Sequence, residues 1–413
     1  MKILKTVILI LLIQVCNPFN EFVISQTKVN MNLDEVLKIA IENNQTIKSS
    51  RFNIEKEKAI NLKSFNIPKP ELFIEYEGVQ GSLNNADSRK IGILQMIEFP
   101  TNYFLRLDVQ GSQIRVVEEE LNSSLNSLRT NVKLNYFNLL LLNELLKTSK
   151  DNYKIYEDFL FTAEKKYEVG ESSNLEVLGA RVNKIKFENE IKNLESEIKS
   201  SQSEIKTLMN VDYHVIPAEE ISFTEISLNK SELLSKAYSN NPELKMLNYQ
   251  KEKSSNKLSL SKGELLPDIS FKYFRQKIAG DNNYWGMEVG LGVPLWFWWE
   301  QSGNIKESNY ELKIASSEEI GFRKSLENEI NVTFEEYENS LRQVNFFNEQ
   351  ALNEADEILR QSKISYDEGA IGYVEYLQAL NIAYETRTQY LNSIYSYNQS
   401  IIKLEKLTSG DLK

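Results

Sequence analysis

One unit is written into this chain twice. Ala40-x-x-Asn43-Asn44 returns 197 residues later as Ala237-x-x-Asn240-Asn241, and Pro70 returns at the same offset as Pro267. Asn131-Val132-x-Leu134-x-x-Phe137 returns 200 residues later as Asn331-Val332-x-Phe334-x-x-Tyr337. Tyr167-x-x-Gly170 and Leu175-Glu176-Val177-Leu178-x-Ala180 return 199 residues later as Tyr366-x-x-Gly369 and Val374-Glu375-Tyr376-Leu377-x-Ala379. Matches that keep their order and a nearly fixed spacing imply a duplicated supersecondary unit. The expected division is a first unit over 26–219 and a second over 220–413, preceded by a leader at 1–25.

The leader expectation rests on Lys2 and Lys5, the apolar run from Ile3 to Val15, and Val23-Ile24-Ser25 as a signal-peptidase site. Cys16 is the one cysteine, and Ile13-Gln14-Val15 before it lacks the small residue that precedes a lipidated cysteine. Cleavage after Ser25 therefore leaves a mature chain without thiol or disulfide chemistry.

Proline positions set the scale of the helices. All eight prolines lie at 18, 68, 70, 100, 217, 242, 267 and 294, and none falls in 101–216 or 295–413. Proline breaks helix interiors, so both stretches are free to be helical. A helix over about 101–168 would be roughly 100 Å long at about 1.5 Å per residue. Such a helix needs a partner along its length, which predicts coiled-coil packing. Gly170 with Gly179, and Gly369 with Gly372, are expected to mark tight turns between antiparallel helices.

Four segments break the helical pattern, at about 71–78, 89–98, 268–277 and 284–294. In the first, Leu72, Ile74 and Tyr76 alternate with Phe73, Glu75 and Glu77; in the last, Trp285, Met287, Val289, Leu291 and Val293 alternate with Gly286, Glu288, Gly290 and Gly292. Period two means strand. The length, with one apolar and one small or polar face, suits a tilted strand between lipid and water. All four tryptophans, Trp285, Trp296, Trp298 and Trp299, cluster around the last segment, as expected of residues at membrane interfaces. A sheet in lipid must close on itself, and the smallest such barrels have about eight strands. One chain offers four. Two chains give eight and three give twelve, and a wider pore favours three.

Composition removes other functions. Charged residues make up 26% and hydrophobic ones 41%, a globular balance, and a net charge of −11 argues against a nucleic-acid partner. With His214 the one histidine, no Cys/His nucleophile or Cys-rich metal site can be assembled. The expectation is a non-enzyme without cofactor or metal site, and His214, at the junction of the units, reads as structural.

On these residues the mature chain resembles the TolC family of outer-membrane efflux proteins along almost its whole length. The paired Tyr-x-x-Gly turns with their following helices carry the resemblance. Gln95-Met96-Ile97-Glu98-Phe99-Pro100 resembles the cation-efflux (CzcC-like) branch, which implies metal cations as cargo. The resemblance implies a mainly α fold with a small β part: a homotrimer whose α-barrel tunnel is topped by a 12-stranded transmembrane β-barrel. It further implies outer-membrane lipid as surroundings, and a periplasmic adaptor (membrane fusion protein) and an inner-membrane RND-type pump as partners. Tyr167, Gly170, Tyr366 and Gly369 would form the tips that meet the adaptor. Glu375 matches an acidic residue of the ring closing the pore. The next ring position falls on Gln378, which is not acidic, and Ile371 stands where the family has a basic residue. Glu176 matches an acid that bonds the tyrosine corresponding to Tyr366. Two other readings are a periplasmic adaptor and a coiled-coil scaffold without a pore. Two hairpin-bearing units and the tryptophan cluster argue against both.

Overall fold

The computed structural model describes residues 28–79, 81–294 and 299–412. The leader, Cys16, Trp296 and Trp298 lie outside the described residues. The first unit runs β1 (Lys28–Met31), α1 (Leu33–Asn43), α2 (Gln45–Ser64), β2 (Glu71–Glu77), β3 (Ser88–Ile97), α3 (Pro100–Glu168), α4 (Asn174–Met209) and β4 (His214–Pro217). The second runs α5 (Lys230–Asn240), α6 (Pro242–Gly263), β5 (Asp268–Ile278), β6 (Asp281–Gly292), α7 (Glu300–Phe346), a π-helical turn (Phe347–Ala351), α8 (Leu352–Asp367) and α9 (Tyr373–Thr408).

The asparagines of the repeated motif explain its persistence. Asn44 caps α2 by accepting from the Thr46 and Ile47 amides, and its Nδ2 donates to the Leu208 carbonyl at 3.1 Å. Asn241 does the same in the second unit, accepting from the Leu244 amide and donating to the Leu407 carbonyl at 3.0 Å. Each satisfies orphan amides at a helix start and ties that start to the last helix of its own unit. Asn32 and Asn229, also 197 apart, cap α1 and α5.

Each unit has its own core. Val36, Ala40, Ile47, Leu128, Val132 and Tyr136 pack in the first, and Leu233, Ala237, Leu244, Leu326, Ile330 and Phe334 in the second. This pairing corrects the repeat of Asn131-Val132. Val132 is fully buried, at 0% exposure, whereas Val332 is 50% exposed. The burial equivalents of Leu128, Val132 and Tyr136 are Leu326, Ile330 and Phe334, at an offset of 198. The offset becomes 199 at Tyr167 and Tyr366, and the π-helical turn lies between these positions. A π turn accommodates one inserted residue without breaking a helix.

The two hairpins form one antiparallel sheet of order β2-β3-β5-β6. The β5–β6 turn is Ala279–Gly280, with positive φ at both residues (47° and 96°). That geometry matches the twist of the flanking strands. Asp281, Asn282 and Asn283 thus belong to β6, which begins three residues before the expected 284. Trp285 accordingly lies inside β6, not at its end. A second, two-stranded parallel sheet pairs β1 with β4, where Tyr136 Oη donates to the Met31 carbonyl at 3.0 Å. Lys133 on α3 sits between Glu405 and Asp411, 2.8 Å from each, and holds the end of α9 to the first unit.

Candidate functional site

Two regions of the structure differ from an ordinary soluble protein: the faces of the four-stranded sheet and the far ends of the long helices. On one side of the sheet, residues standing opposite one another form continuous apolar rows. Leu72, Ile93, Tyr273 and Met287 make one row, and Ile269 and Leu291 belong to another. On this face Trp285, Met287, Val289 and Leu291 of β6, with Val293 just past its end, are 57–68% exposed. An exposed apolar face of this extent implies a non-aqueous neighbour. Gln95 interrupts the face for a local reason: its Nε2 donates to the Pro68 carbonyl at 2.8 Å, tying β3 to the segment before β2.

The opposite face is polar and thin. Lys90 bonds Glu77 at 2.6 Å and lies 3.5 Å from Glu75, which also faces Lys272 at 3.6 Å. Phe73, Gly92, Phe274 and Gly286 form one row across the four strands. A Cβ at Gly92 would lie 2.6 Å from the Phe73 ring, and one at Gly286 would lie 2.4 Å from the Phe274 ring. The ring tips lie over the glycines, so each glycine leaves room for its neighbour's ring. Within the described residues β2 and β6 are bonded on one side only, so the sheet has two open edges. Among the described residues no helix is long and apolar enough to cross a membrane.

At the other end, α3 turns into α4 through Gly170 (φ +79°), and α8 into α9 through Gly369 (φ +72°). The Gly170 amide donates to the Tyr167 carbonyl and the Gly369 amide to the Tyr366 carbonyl, both at 3.0 Å. These left-handed positions favour glycine because no Cβ crowds the backbone. Gly179 is not part of a turn; it lies inside α4. It is a glycine because Tyr373 crosses it there: a Cβ would lie 2.7 Å from the Tyr373 hydroxyl.

The two turn tyrosines diverge. Tyr167 is 49% exposed, whereas Tyr366 is 9% exposed and points into the tip core. Tyr366 Oη donates to Glu176 Oε1 at 2.8 Å, and Ser172 Oγ donates to Glu176 Oε2 at 2.8 Å. The Tyr366 ring stacks on Tyr376, with centroids 5.0 Å apart, and Phe159 stacks on Tyr373, also at 5.0 Å. Burial first, and the Glu176 carboxylate second, push the Tyr366 hydroxyl above the usual phenol range. Further along, Tyr384 of α9 donates to Glu190 of α4, and Ser149 of α3 bonds both. Burial and Glu190 push Tyr384 up to about 12.

The structure thus brings Glu176 and Tyr366 together across the two units. Glu375 and Gln378 lie exposed in the first turns of α9, and the Glu375 carboxylate folds back beside Gly372. Trp285 and Trp299 are exposed. Among the described residues no group of three or more potential metal ligands converges. Sequence reasoning missed Ser172, Phe159, Tyr373, Ser149 and Glu190. Gly179 was the one signal for any of them, since a glycine inside a helix marks close approach.

The sequence matches that of the outer membrane efflux protein family over residues 105–211 and 233–410. This chain belongs to the outer membrane efflux protein family. Its fold is shared by solved structures of low identity. The outer membrane protein VceC of Vibrio cholerae is 14% identical over 92% of this chain and 97% of that one, with a TM-score of 0.76. The CmeC outer membrane channel of Campylobacter jejuni is 16% identical over 92% and 86%, with a TM-score of 0.73. The MtrE outer membrane channel of Neisseria gonorrhoeae, solved in its open state, is 16% identical over 92% and 90%, with a TM-score of 0.74. No curated protein matches by sequence. The efflux family is a family of channels, not of enzymes, and its place is the outer membrane. The match is to the efflux family as a whole and does not resolve the cation-efflux branch.

Proposed function

We propose that this efflux protein is the passive outer-membrane exit duct of a tripartite system, receiving cargo from an inner-membrane RND-type pump through a periplasmic adaptor. The observation that carries the reading is the four-stranded sheet. Its apolar face is exposed, its other face is charged and thinned by glycine, and both its edges are open. In lipid such edges must be paired, and successive copies of the chain can pair β2 with β6. Three copies give twelve strands and a lumen wide enough to pass solute. The helices then extend into the periplasm, with the Tyr167–Gly170 and Tyr366–Gly369 turns at the adaptor-facing tip. Glu375 and Gln378 narrow the opening there, and the Glu176–Tyr366 bond holds it. Gln95 has a structural bond of its own, so it supports no assignment of metal cations as cargo. Fractionation of cells on a density gradient tests the reading. A heat-modifiable oligomer in the outer-membrane fraction is the expected result, and recovery in the soluble or inner-membrane fraction would overturn it.

A further inference from the structure

The apolar face of the sheet ends in a cluster of exposed cations that, among the described residues, forms no ion pair. Arg89 on β3 stands directly opposite Lys277 on β5, and Arg275 stands opposite Ile91 on the adjacent row. Strand alternation puts all three on the face of Ile91, Ile93 and Tyr273, and all three are exposed. Directly opposed residues have Cβ atoms about 4.5–5.5 Å apart and diagonal ones about 7–8 Å, so like charges here repel. Among the described residues none of the three joins an ion pair. Glu75 and Glu77 lie on the other face, bonded to Lys90 and Lys272. Glu71 and Glu288 also alternate to that other face. The Asp87 carboxylate packs against Gly78 in the β2–β3 turn. The register of β5 on β6 is irregular between Gln276 and Ile278, where β6 carries one extra residue opposite Lys277, while Lys277 keeps its regular register with Arg89 on β3.

The place of the cluster identifies its partner. It lies at the hairpin-turn end of the sheet, opposite the end from which the long helices continue. One row in from Arg89 and Lys277, Arg275 stands beside Ile74, Ile91 and Trp285, and Tyr273 of the next apolar row lies 6.4 Å from the Trp285 ring. Apolar band, aromatic residues and cations in that order match acyl chains, interface and headgroups. Resting on the reading of the protein as an outer-membrane channel, we propose that Arg89, Arg275 and Lys277 bind the phosphates of the phosphorylated glycolipid of the outer leaflet. Arginine grips a phosphate through two parallel N–H bonds, and a bound anion removes the repulsion between Arg89 and Lys277.

The test uses the full-length protein purified in detergent and titrated with bisphosphorylated lipid A or its dephosphorylated form, followed by tryptophan fluorescence and native mass spectrometry. The expected result is binding of the phosphorylated lipid at least about ten-fold tighter. R89Q/R275Q/K277Q loses that preference, and R89K/R275K, which keeps the charges, retains most of it. Far-UV circular dichroism verifies that both variants are folded. Equal binding of the two lipids by the unaltered protein, or undiminished preference in the triple variant, would overturn the proposal. Density-gradient fractionation separates the two levels: absence from the outer membrane refutes the channel reading, while outer-membrane protein with phosphate-independent binding refutes the lipid site alone.

Discussion

Replacing Tyr366 by phenylalanine removes one oxygen and leaves the packing of the ring. The hydroxyl donates to Glu176 at 2.8 Å, while the ring keeps Tyr376 at 5.0 Å and Phe159 at 5.6 Å. A hydrogen bond to a charged group is worth about 1.5–3 kcal/mol. Glu176 is half-buried and retains the Ser172 hydroxyl at 2.8 Å, so water replaces part of what is lost. The net cost is about 1–2 kcal/mol per chain. In a channel of three copies the loss occurs three times, about 3–6 kcal/mol against the closed tip. That shifts the closed-to-open ratio by about two to four powers of ten. Single-channel recording in planar bilayers at neutral pH reads this directly. Tyr366→Phe is expected to conduct more, and Tyr167→Phe, at the equivalent but half-exposed position, to match the unaltered protein. Unchanged current in Tyr366→Phe, or an equal rise in Tyr167→Phe, refutes the closing role of the bond.

Three further outcomes are expected. Glu375→Ala lowers cation selectivity and divalent block in the same recordings, because symmetry-related carboxylates at short range favour bound cations; unaltered selectivity and block would remove Glu375 from the constriction. Gly179→Ala costs about 1–3 kcal/mol of thermal stability, since its Cβ meets Tyr373 at 2.7 Å, whereas Gly111→Ala in open space within α3 stabilises by about 0.5–1 kcal/mol. A melt showing the two variants alike contradicts the close approach. Tyr384, held near 12 by burial and by Glu190, favours the folded state as a neutral phenol. Its contribution is whole below pH 10, the unfolded value, and is lost as pH rises through about 12. Melting temperatures between pH 9 and 12 should fall less steeply in Tyr384→Phe, and an identical slope would exclude this contribution.

The duplicated helix–hairpin fold was legible because its signals are local. Proline positions, period-two alternation and the two Tyr-x-x-Gly turns each act within a few residues. Signals that depend on distant partners were misread or unseen. Gly179 looks like a helix breaker until Tyr373, from the other unit, is placed across it. The Asn131 and Asn331 motifs match in letters but not in burial: the letters repeat at an offset of 200, whereas the buried positions around them repeat at 198. The same Tyr-x-x-Gly motif gives an exposed Tyr167 and a buried Tyr366, because only Tyr366 finds the Glu176 carboxylate and the Tyr376 ring beside it. Glu176 and Tyr366 were joined through the family resemblance. The Ser149–Glu190–Tyr384 clasp, which joins α3, α4 and α9, had no sequence signal at all.

The two open edges of the sheet must be closed in lipid. Electron cryomicroscopy of the full-length protein in lipid nanodiscs counts the chains and strands that close it. The expected map shows three chains and a twelve-stranded barrel in which β2 of each copy pairs with β6 of the next. A barrel of two chains, or a single chain whose edges are covered by its own residues, would contradict it.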